Sequence, residues 1–291
     1  MTTLTTDPHV TQTFPIKDTI WCAGCGHFSV LNALDGSFGR LGIDGKDALV
    51  VAGIGCSGTI QNHVPAYGYH ALHGRALPSA AGAKMANPEL TVIAAGGDGD
   101  GLAIGGGHLM HTFRNNPSIA YIIMNNSTYG LTKGQASPTS QGGFRGFAAR
   151  EQVDPVMLGL SIPATTFLAR SYSGDGDQLE QLTDAAIRHA NAGRGFAFLE
   201  VISPCVAYND RYHEWPAHLV DVARTPGYDP RDRAGVFTQL LTWDEEGRVP
   251  TGLLFLNEDA PLVDAAGPAQ QDVDPASNRE AYRKVLASFQ A

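Results

Sequence analysis

Four short apolar runs constrain the fold of this chain more than any other sequence feature. Each run is almost continuously hydrophobic and lacks the strict alternation of a half-exposed strand, a pattern typical of parallel strands buried on both faces. The runs lie at 48–55, 90–95, 119–124 and 196–202. Helical patterns precede or separate them at 27–41, 102–114 and 178–192. This alternation predicts an α/β fold with a doubly wound, mainly parallel sheet.

Chemically distinctive residues follow the end of each apolar run. They are Cys56, Asp98, Asn126 and Cys205. Ligands of open α/β sheets bind beyond the carboxyl ends of the strands. We therefore expect four strand ends to bring these side chains to one rim of the sheet.

The four cysteines of the chain are Cys22, Cys25, Cys56 and Cys205. The first two form a C-x2-C pair, which in a cytoplasmic protein is more typical of a metal site than of disulfides. Four thiolates suit either a Cys₄ zinc site or a [4Fe–4S] cluster. Structural zinc usually takes its ligands from two local pairs, so one pair with two single cysteines slightly favours the cluster.

A glycine-rich segment, 97–101, carries Asp98 between the second apolar run and a helical pattern. Asn126 follows the next run, 28 residues later. Carboxylate and amide oxygens suit Mg²⁺, and glycines allow backbone N–H groups to face a diphosphate at a helix N-terminus. Neither Gly97 nor Gly99 is followed by the G-x-G-x-x-G spacing, and the chain has no G-x4-G-K-[ST] motif. A glycine turn and an unrelated Asn-Asn turn are the alternative, but the strand–helix–strand order favours a metal–diphosphate site.

Charge and hydropathy exclude several classes of function. The net charge is −9 without a Lys/Arg cluster, so we expect no nucleic-acid partner. No stretch approaches the roughly 18 to 20 apolar residues of a membrane span. Residues 1–17 lack the basic start and apolar centre of a signal peptide, which predicts a cytoplasmic protein.

The motifs together resemble a known family. Gly97-Asp98-Gly99 with Asn125-Asn126 resembles the Mg²⁺–thiamine diphosphate motif of thiamine-dependent enzymes. The wider pattern comprises W-C-A-G-C-G-H at 21–27, G-I-G-C-S at 53–57, H-G-R-A at 73–76, G-D-G-D-G at 97–101 and Y-G-L-T-K-G-Q at 129–135. This pattern resembles the β subunit of 2-oxoacid:ferredoxin oxidoreductases over most of the chain, and two-subunit 2-oxoglutarate:ferredoxin oxidoreductase most closely.

The resemblance implies a set of site residues. Mg²⁺ would be bound by the side chains of Asp98 and Asn126 and the carbonyl of Thr128, and a [4Fe–4S] cluster by all four cysteines. Thiamine diphosphate would contact Ile54, Gly55, Cys56, Ser57, His73, Gly99, Asp100, Gly130 and Leu131. Lys133 would pair with the carboxylate of the substrate, with Lys46 and Arg75 as weaker candidates.

The activity implied by the resemblance is the oxidative decarboxylation of a 2-oxoacid with transfer of the acyl group to coenzyme A. We expect 2-oxoglutarate as the substrate and pyruvate as the next candidate. Electrons would pass through the [4Fe–4S] cluster to ferredoxin, and the reverse reaction would be reductive carboxylation. The alternative is a non-redox thiamine-dependent decarboxylase subunit with structural zinc, and a further rival is a Cys₄ scaffold that binds no thiamine diphosphate.

The chain is expected to build only half of a thiamine site. It has one diphosphate-type domain, so no certain catalytic residue is assigned to it. The activating Glu should lie on an α subunit with the pyrimidine-type domain, in a heterodimer or a dimer of heterodimers. We divide the chain into an N-terminal tail (1–18), a binding domain (19–210) and a C-terminal extension (211–291). The extension is predicted to contain a long connection, a hairpin with arms 240–243 and 251–256, and a final helix at 278–289.

Overall fold

A computed structural model describes residues 18–142, 144–146, 152–260 and 275–288. The predicted tail therefore lies outside the described residues, apart from Asp18. The helices are α1 His27–Leu41, α2 Ala76–Ala86, α3 Gly106–Asn115, α4 Pro155–Leu160, α5 Gly176–Asn191, α6 Trp215–His218, α7 Arg233–Glu245 and α8 Pro275–Ser288. The strands are β1 Ala48–Ala52, β2 Tyr67–His70, β3 Thr91–Gly97, β4 Ala120–Asn125, β5 Phe167–Tyr172, β6 Ala197–Ile202, β7 Leu219–Asp221 and β8 Val249–Leu256.

The described strands form one sheet in the order β2-β1-β3-β4-β6-β5-β8-β7. The strands from β2 to β5 in this order run parallel, β8 is antiparallel to β5, and β7 is parallel to β8. The predicted mainly parallel sheet is confirmed. The four apolar runs became β1, β3, β4 and β6, which are consecutive in the sheet.

Helices cover both faces of the sheet, as the continuous apolar runs predict. Alternate strand residues point to opposite faces, so Val50, Ile93 and Ile122 pack with α1 and α5 on one face. Val51 and Tyr121 belong to the core on the other face, with α2, α3, α4 and α7. Within the described residues, no helix is long and apolar enough to cross a membrane.

Two predicted helices agree with the structure and one starts later than expected. The prediction of 27–41 matches α1, and α5 is capped by Asp175, whose carboxylate accepts a hydrogen bond from the Gln178 N–H at 3.1 Å. The pattern at 102–114 overlaps a π-type turn, Gly99–Ile104, before α3 begins. The turn closes where the Gly105 N–H donates to the Asp100 carbonyl at 3.0 Å.

The predicted hairpin at 240–243 and 251–256 is wrong. Leu240 and Trp243 lie in α7 and pack with Val236 against the sheet at helical spacing. The helix is capped by Asp232, and Gly247, with a φ of 68°, helps reverse the chain into β8. The second arm is a strand, but it pairs with β5 and β7. A four-residue apolar run was too short to separate a strand from one turn of a buried helix.

The remaining predictions for the C-terminal part are partly correct. The long connection at 211–233 contains the short elements α6 and β7. The final helix is present as α8, which overlaps the predicted 278–289 and begins three residues earlier.

Candidate cofactor and metal site

The carboxyl ends of β1, β3, β4 and β6 lie side by side, because these strands are parallel and adjacent. Cys56, Asp98, Asn126 and Cys205 follow these four ends. A Cβ placed on Gly130 would lie 3.5 Å from the Cys56 sulfur, 3.6 Å from Asn126 Nδ2 and 3.7 Å from the Cys205 sulfur. The predicted convergence on one rim is confirmed.

A cavity opens at this rim, and its lining contains every residue predicted to contact thiamine diphosphate or Mg²⁺. These residues are Ile54, Gly55, Cys56, Ser57, His73, Asp98, Gly99, Asp100, Asn126, Thr128, Gly130 and Leu131. His27, Gly97, Tyr129 and Thr132 also line the cavity and were not predicted as site residues. All four lie within the segments that carry the family resemblance, so their sequence position was a usable signal.

Asp98 is a buried carboxylate at the centre of the rim, only 1% exposed. The Thr139 hydroxyl donates to its Oδ2 at 2.6 Å. Burial raises the pKa of Asp98, although hydrogen bonds from Ser137 and Thr139 act in the opposite direction. A divalent cation would stabilise this carboxylate as an anion in its buried position.

The segment that follows β4 turns sharply into the cavity. The Asn126 Oδ1 accepts a hydrogen bond from the Thr128 N–H at 3.1 Å, and Ser127 between them has a left-handed φ of 54°. The Asn209 side chain donates to the Asn126 carbonyl at 3.0 Å. Thr128 is buried, so its backbone is fixed beside Asp98 and Asn126 at the cavity wall.

The Asp100 carboxylate joins three loops of the rim. Its Oδ1 accepts hydrogen bonds from His73 Nδ1 at 2.6 Å, the Gly74 N–H at 2.7 Å and the Ile54 N–H at 3.0 Å. The loops after β1 and β2 are thereby tied to the loop after β3. The geometry gives Asp100 a role in shaping the cavity wall.

The four cysteines are neighbours and none forms a disulfide. Burial, with smaller contributions from the nearby Cys205, Cys56 and Cys22, raises the pKa of the Cys25 thiol to about 11, although a backbone hydrogen bond from His27 acts in the opposite direction. The pKa of Cys56 is also raised, first by burial and then by Cys205 and Cys22. Among the residues that the structure describes, no group of three His, Cys, Asp or Glu side chains is arranged to hold a metal ion.

The predicted substrate-binding cations lie in different environments. Lys133 is exposed in the rim loop and adopts a φ of 77°, which a non-glycine residue rarely takes. Lys46 pairs with Asp44 at 2.7 Å immediately before β1, at the end of the sheet opposite to the rim. Arg75 donates to the carbonyls of Gly74 and Ile104. Lys46 therefore lies away from the cavity, whereas Lys133 and Arg75 remain candidates for the substrate.

Several known proteins are similar to this chain in sequence and in fold. A family model for the C-terminal thiamine pyrophosphate-binding domain of thiamine pyrophosphate enzymes matches residues 53–201. The 2-oxoacid:ferredoxin oxidoreductase subunit beta of Sulfolobus sp is 38% identical over 278 residues, which cover 88% of this chain and 89% of the relative. The chain belongs to the β subunits of 2-oxoacid:ferredoxin oxidoreductases. The predicted family and enzyme class are confirmed.

Other members of the 2-oxoacid:ferredoxin oxidoreductases agree. The 2-oxoglutarate synthase subunit KorB of Methanothermobacter marburgensis is 40% identical over 196 residues, 66% of this chain and 67% of the relative. The structure of 2-oxoglutarate:ferredoxin oxidoreductase from Magnetococcus marinus, with 2-oxoglutarate, coenzyme A and succinyl-CoA bound, matches with a TM-score of 0.78 and 33% identity. The match covers 93% of this chain and 88% of the other. The thiamine-type α/β fold predicted from the sequence is thus also confirmed.

Proposed function

We propose that this β subunit holds thiamine diphosphate, Mg²⁺ and a [4Fe–4S] cluster, and oxidises a 2-oxoacid with coenzyme A as acyl acceptor and ferredoxin as electron acceptor. One observation carries the proposal. The sulfurs of Cys56 and Cys205 and the amide of Asn126 surround the same glycine, Gly130, at 3.5 to 3.7 Å from its Cβ position. A redox centre on these cysteines would therefore adjoin the cofactor cavity.

The residues at the rim fit thiamine diphosphate and Mg²⁺. Asp98 is a buried carboxylate whose hydrogen-bond donors are neutral hydroxyl and backbone groups, so a cation would offset the cost of burying its charge. Asn126 and the Thr128 carbonyl would complete the protein ligands of Mg²⁺. Thiamine diphosphate, when bound, supplies an electron sink for the carbanion formed as a 2-oxoacid loses CO₂. His73 would face the diphosphate, because Asp100 holds its Nδ1.

The cysteines fit a cluster in their chemistry and position. Cys22 and Cys25 come from one turn before α1, whereas Cys56 and Cys205 come from two strand ends. The half-buried thiols of Cys25 and Cys56 carry raised pKa values, so a metal centre that binds thiolates would stabilise the anionic form. In a [4Fe–4S] cluster each cysteine binds a different iron, so the four sulfurs need not meet around one ion. This property favours the cluster over zinc.

The proposed substrate is 2-oxoglutarate, with pyruvate as the runner-up. Several relatives and the Magnetococcus marinus enzyme are named for 2-oxoglutarate. Lys133 would bind a carboxylate of the substrate from the rim. The second carboxylate of 2-oxoglutarate would require another cation, which we assign to the partner subunit.

We also propose that the active enzyme contains an α subunit that supplies the pyrimidine-type domain and the activating Glu. In this assembly residues 19–210 would hold the cofactor and cluster, and 211–291 would form an extension. β7 and β8 of that extension continue the same sheet beyond β5.

The decisive experiment is an anaerobic preparation of the α–β complex, assayed for iron, acid-labile sulfide, zinc and thiamine. We expect about four iron and four sulfide per β subunit and stoichiometric thiamine diphosphate. Reduction of a viologen should require coenzyme A and be faster with 2-oxoglutarate than with pyruvate. Stoichiometric zinc without sulfide would instead indicate the non-redox decarboxylase. Absence of thiamine diphosphate would indicate a scaffold protein.

A further inference from the structure

A network of buried, hydrogen-bonded polar side chains leads from Asp98 along the face of the sheet that packs against α4 and α7. It begins at Thr139, whose hydroxyl is 2.6 Å from Asp98 Oδ2 and 2.8 Å from Asn125 Oδ1. Asn125 Nδ2 then donates to Glu200 Oε1 at 2.7 Å. Glu200 Oε2 accepts from Arg170 Nε at 2.6 Å. All five side chains are at most 9% exposed.

Glu200 determines the orientation of the Asn125 amide. A carboxylate accepts hydrogen bonds and does not donate them, so the nitrogen of the amide must face Glu200. The oxygen of the amide is thereby directed at Thr139 and at the N–H of Ser127, which donates to it at 3.0 Å. Asn125 thus offers Thr139 an acceptor whose position depends on a residue of the neighbouring strand.

The position of Thr139 is fixed by its own loop. The Thr139 carbonyl accepts from Gln152 Nε2 at 3.0 Å, and the next residue, Ser140, donates from its hydroxyl to the Ser127 carbonyl at 2.6 Å. The single hydroxyl hydrogen of Thr139 lies between two acceptors, Asp98 and Asn125. The hydroxyl therefore joins the Asp98 carboxylate to the amide that precedes Asn126.

At the end of this network farthest from Asp98, ion pairs and a helix cap hold the side chains in place. Arg170 and Glu200 are directly opposite each other on β5 and β6, and Arg170 Nη2 also donates to Asp154 Oδ2 at 2.9 Å. Asp154 Oδ1 caps α4 through the N–H groups of Val156 and Met157. Replacing a buried ion pair with apolar residues is often neutral or stabilising. Stability alone is therefore a weak reason for this pair.

We propose that Thr139 and Asn125 are positioning residues for the Asp98 carboxylate, and that Glu200 and Arg170 hold them in place. This hydrogen-bonded network would orient Asp98 toward Mg²⁺ although none of the four side chains lines the cofactor cavity. Hydrogen-bond partners of metal ligands typically change metal affinity by about 10- to 100-fold when they are removed. This inference rests on the proposed function, because it concerns the same Mg²⁺ site.

The test measures the Mg²⁺ concentration that gives half-saturation of thiamine diphosphate binding to the α–β complex after removal of cofactor and metal with a chelator. Thr139→Val keeps the shape and removes the hydroxyl, and we expect a rise of about 10-fold or more. Thr139→Ser keeps the hydroxyl and should stay within about threefold of wild type. Glu200→Gln should raise the value by about 10-fold, because one amide cannot accept from both Asn125 and Arg170.

Thr183→Val is the matched control. Thr183 is fully buried, and its hydroxyl donates to the Leu179 carbonyl within α5, at 2.7 Å. It should lose stability without any change in Mg²⁺ dependence, which separates a structural effect from a positioning effect. If Thr139→Val folds poorly, Glu200→Gln carries the same test.

The outcomes distinguish this inference from the proposed function. A wild-type complex that binds no thiamine diphosphate with Mg²⁺ overturns the proposed function and the inference together. A wild-type complex that binds both, with Thr139→Val and Glu200→Gln requiring no more Mg²⁺ than wild type, overturns only the inference.

Discussion

The imidazole Nδ1 of His73 lies 2.6 Å from Oδ1 of Asp100. The same oxygen accepts two backbone N–H groups, so the carboxylate is the acceptor and the hydrogen resides on Nδ1. This bond joins the loop after β2 to the loop after β3 and leaves the His73 Nε2 for the cavity. The shape of the candidate cofactor site therefore depends on a carboxylate whose Oδ1 accepts three hydrogen bonds from the loops it joins.

We expect Asp100→Asn to destabilise the chain by about 1.5–3 kcal/mol and to weaken thiamine diphosphate binding. If the NH₂ of the Asn side chain took the place of Oδ1, it would face three hydrogen-bond donors. If it took the place of Oδ2, it would be buried where the described part of the chain offers no hydrogen-bond partner. Urea unfolding and calorimetric titration of the cofactor measure the two effects. Asp44→Asn is the control, because Asn can cap the turn at 45–47 as Asp44 does. Equal effects of the two substitutions would contradict the assigned role.

Gly130→Ala tests whether the space between Cys56 and Cys205 is needed to bind the proposed cluster and cofactor. The new methyl group would be in ordinary contact with Cys56, Cys205 and Asn126, and the backbone at Gly130 is not left-handed. The metal-free chain should therefore keep its stability within about 1 kcal/mol. Iron content and 2-oxoacid-dependent viologen reduction should fall severalfold, because the methyl group would occupy the space between the proposed cluster and the proposed cofactor.

Gly107→Ala provides the comparison for Gly130→Ala. Gly107 is exposed in α3, and a Cβ there meets no atom within 4 Å. This variant should retain iron and activity. A Gly130→Ala complex with full iron content and wild-type turnover would show that the cluster does not lie at this rim.

The parts of the fold that the sequence predicted are those with local signals. β1, β3, β4 and β6 are buried on both faces, so their residues are apolar whichever way they point. The helix α1 ends at Gly42, whose left-handed φ of 64° suits glycine as a C-cap. The rim of the site could be predicted from these strands, because neighbouring parallel strands have their carboxyl ends on the same side of the sheet.

The parts that the sequence did not predict depend on distant contacts. β5 contains Arg170, which can be buried because Glu200 and Asp154 compensate its charge. β2 is an edge strand whose four residues are exposed, so it lacks an apolar run. Thr139 reaches Asp98 across 41 positions of sequence. No local pattern contains the information for such a contact.

Stability should decrease on acidification, and His189 should account for part of the decrease. Burial, with a further contribution from Arg194, lowers the pKa of His189 to about 4 in the folded chain. Between pH 6.5 and 4 the unfolded chain binds a proton at this site and the folded chain does not, so stability falls as the pH falls through this window. The contribution reaches about 3 kcal/mol at the acidic end.

His189→Gln should remove this contribution. Gln can retain a hydrogen bond to the Thr166 hydroxyl, which His189 Nε2 contacts at 3.0 Å. Urea unfolding at pH 7.5 and pH 5 should give a smaller difference for the variant than for wild type. His111→Gln replaces an exposed histidine on α3 and should keep the wild-type difference. A pH dependence of His189→Gln equal to that of wild type would contradict the prediction.

The left-handed backbone of Lys133 allows its charge and its conformation to be tested separately. Lys133→Gly and Lys133→Ala both remove the ammonium group, and each should raise the KM for 2-oxoglutarate about 10-fold or more, the loss expected for one charged hydrogen bond. Lys133→Arg should preserve most of the affinity. Gly adopts a φ of 77° without the steric penalty of a Cβ, so Lys133→Gly should be more stable than Lys133→Ala by about 1 kcal/mol. Lys46→Ala, which removes a cation at the opposite end of the sheet, should leave the KM unchanged. An unchanged KM in Lys133→Ala, despite the expected order of stabilities, would mean that Lys133 is a solvated surface charge.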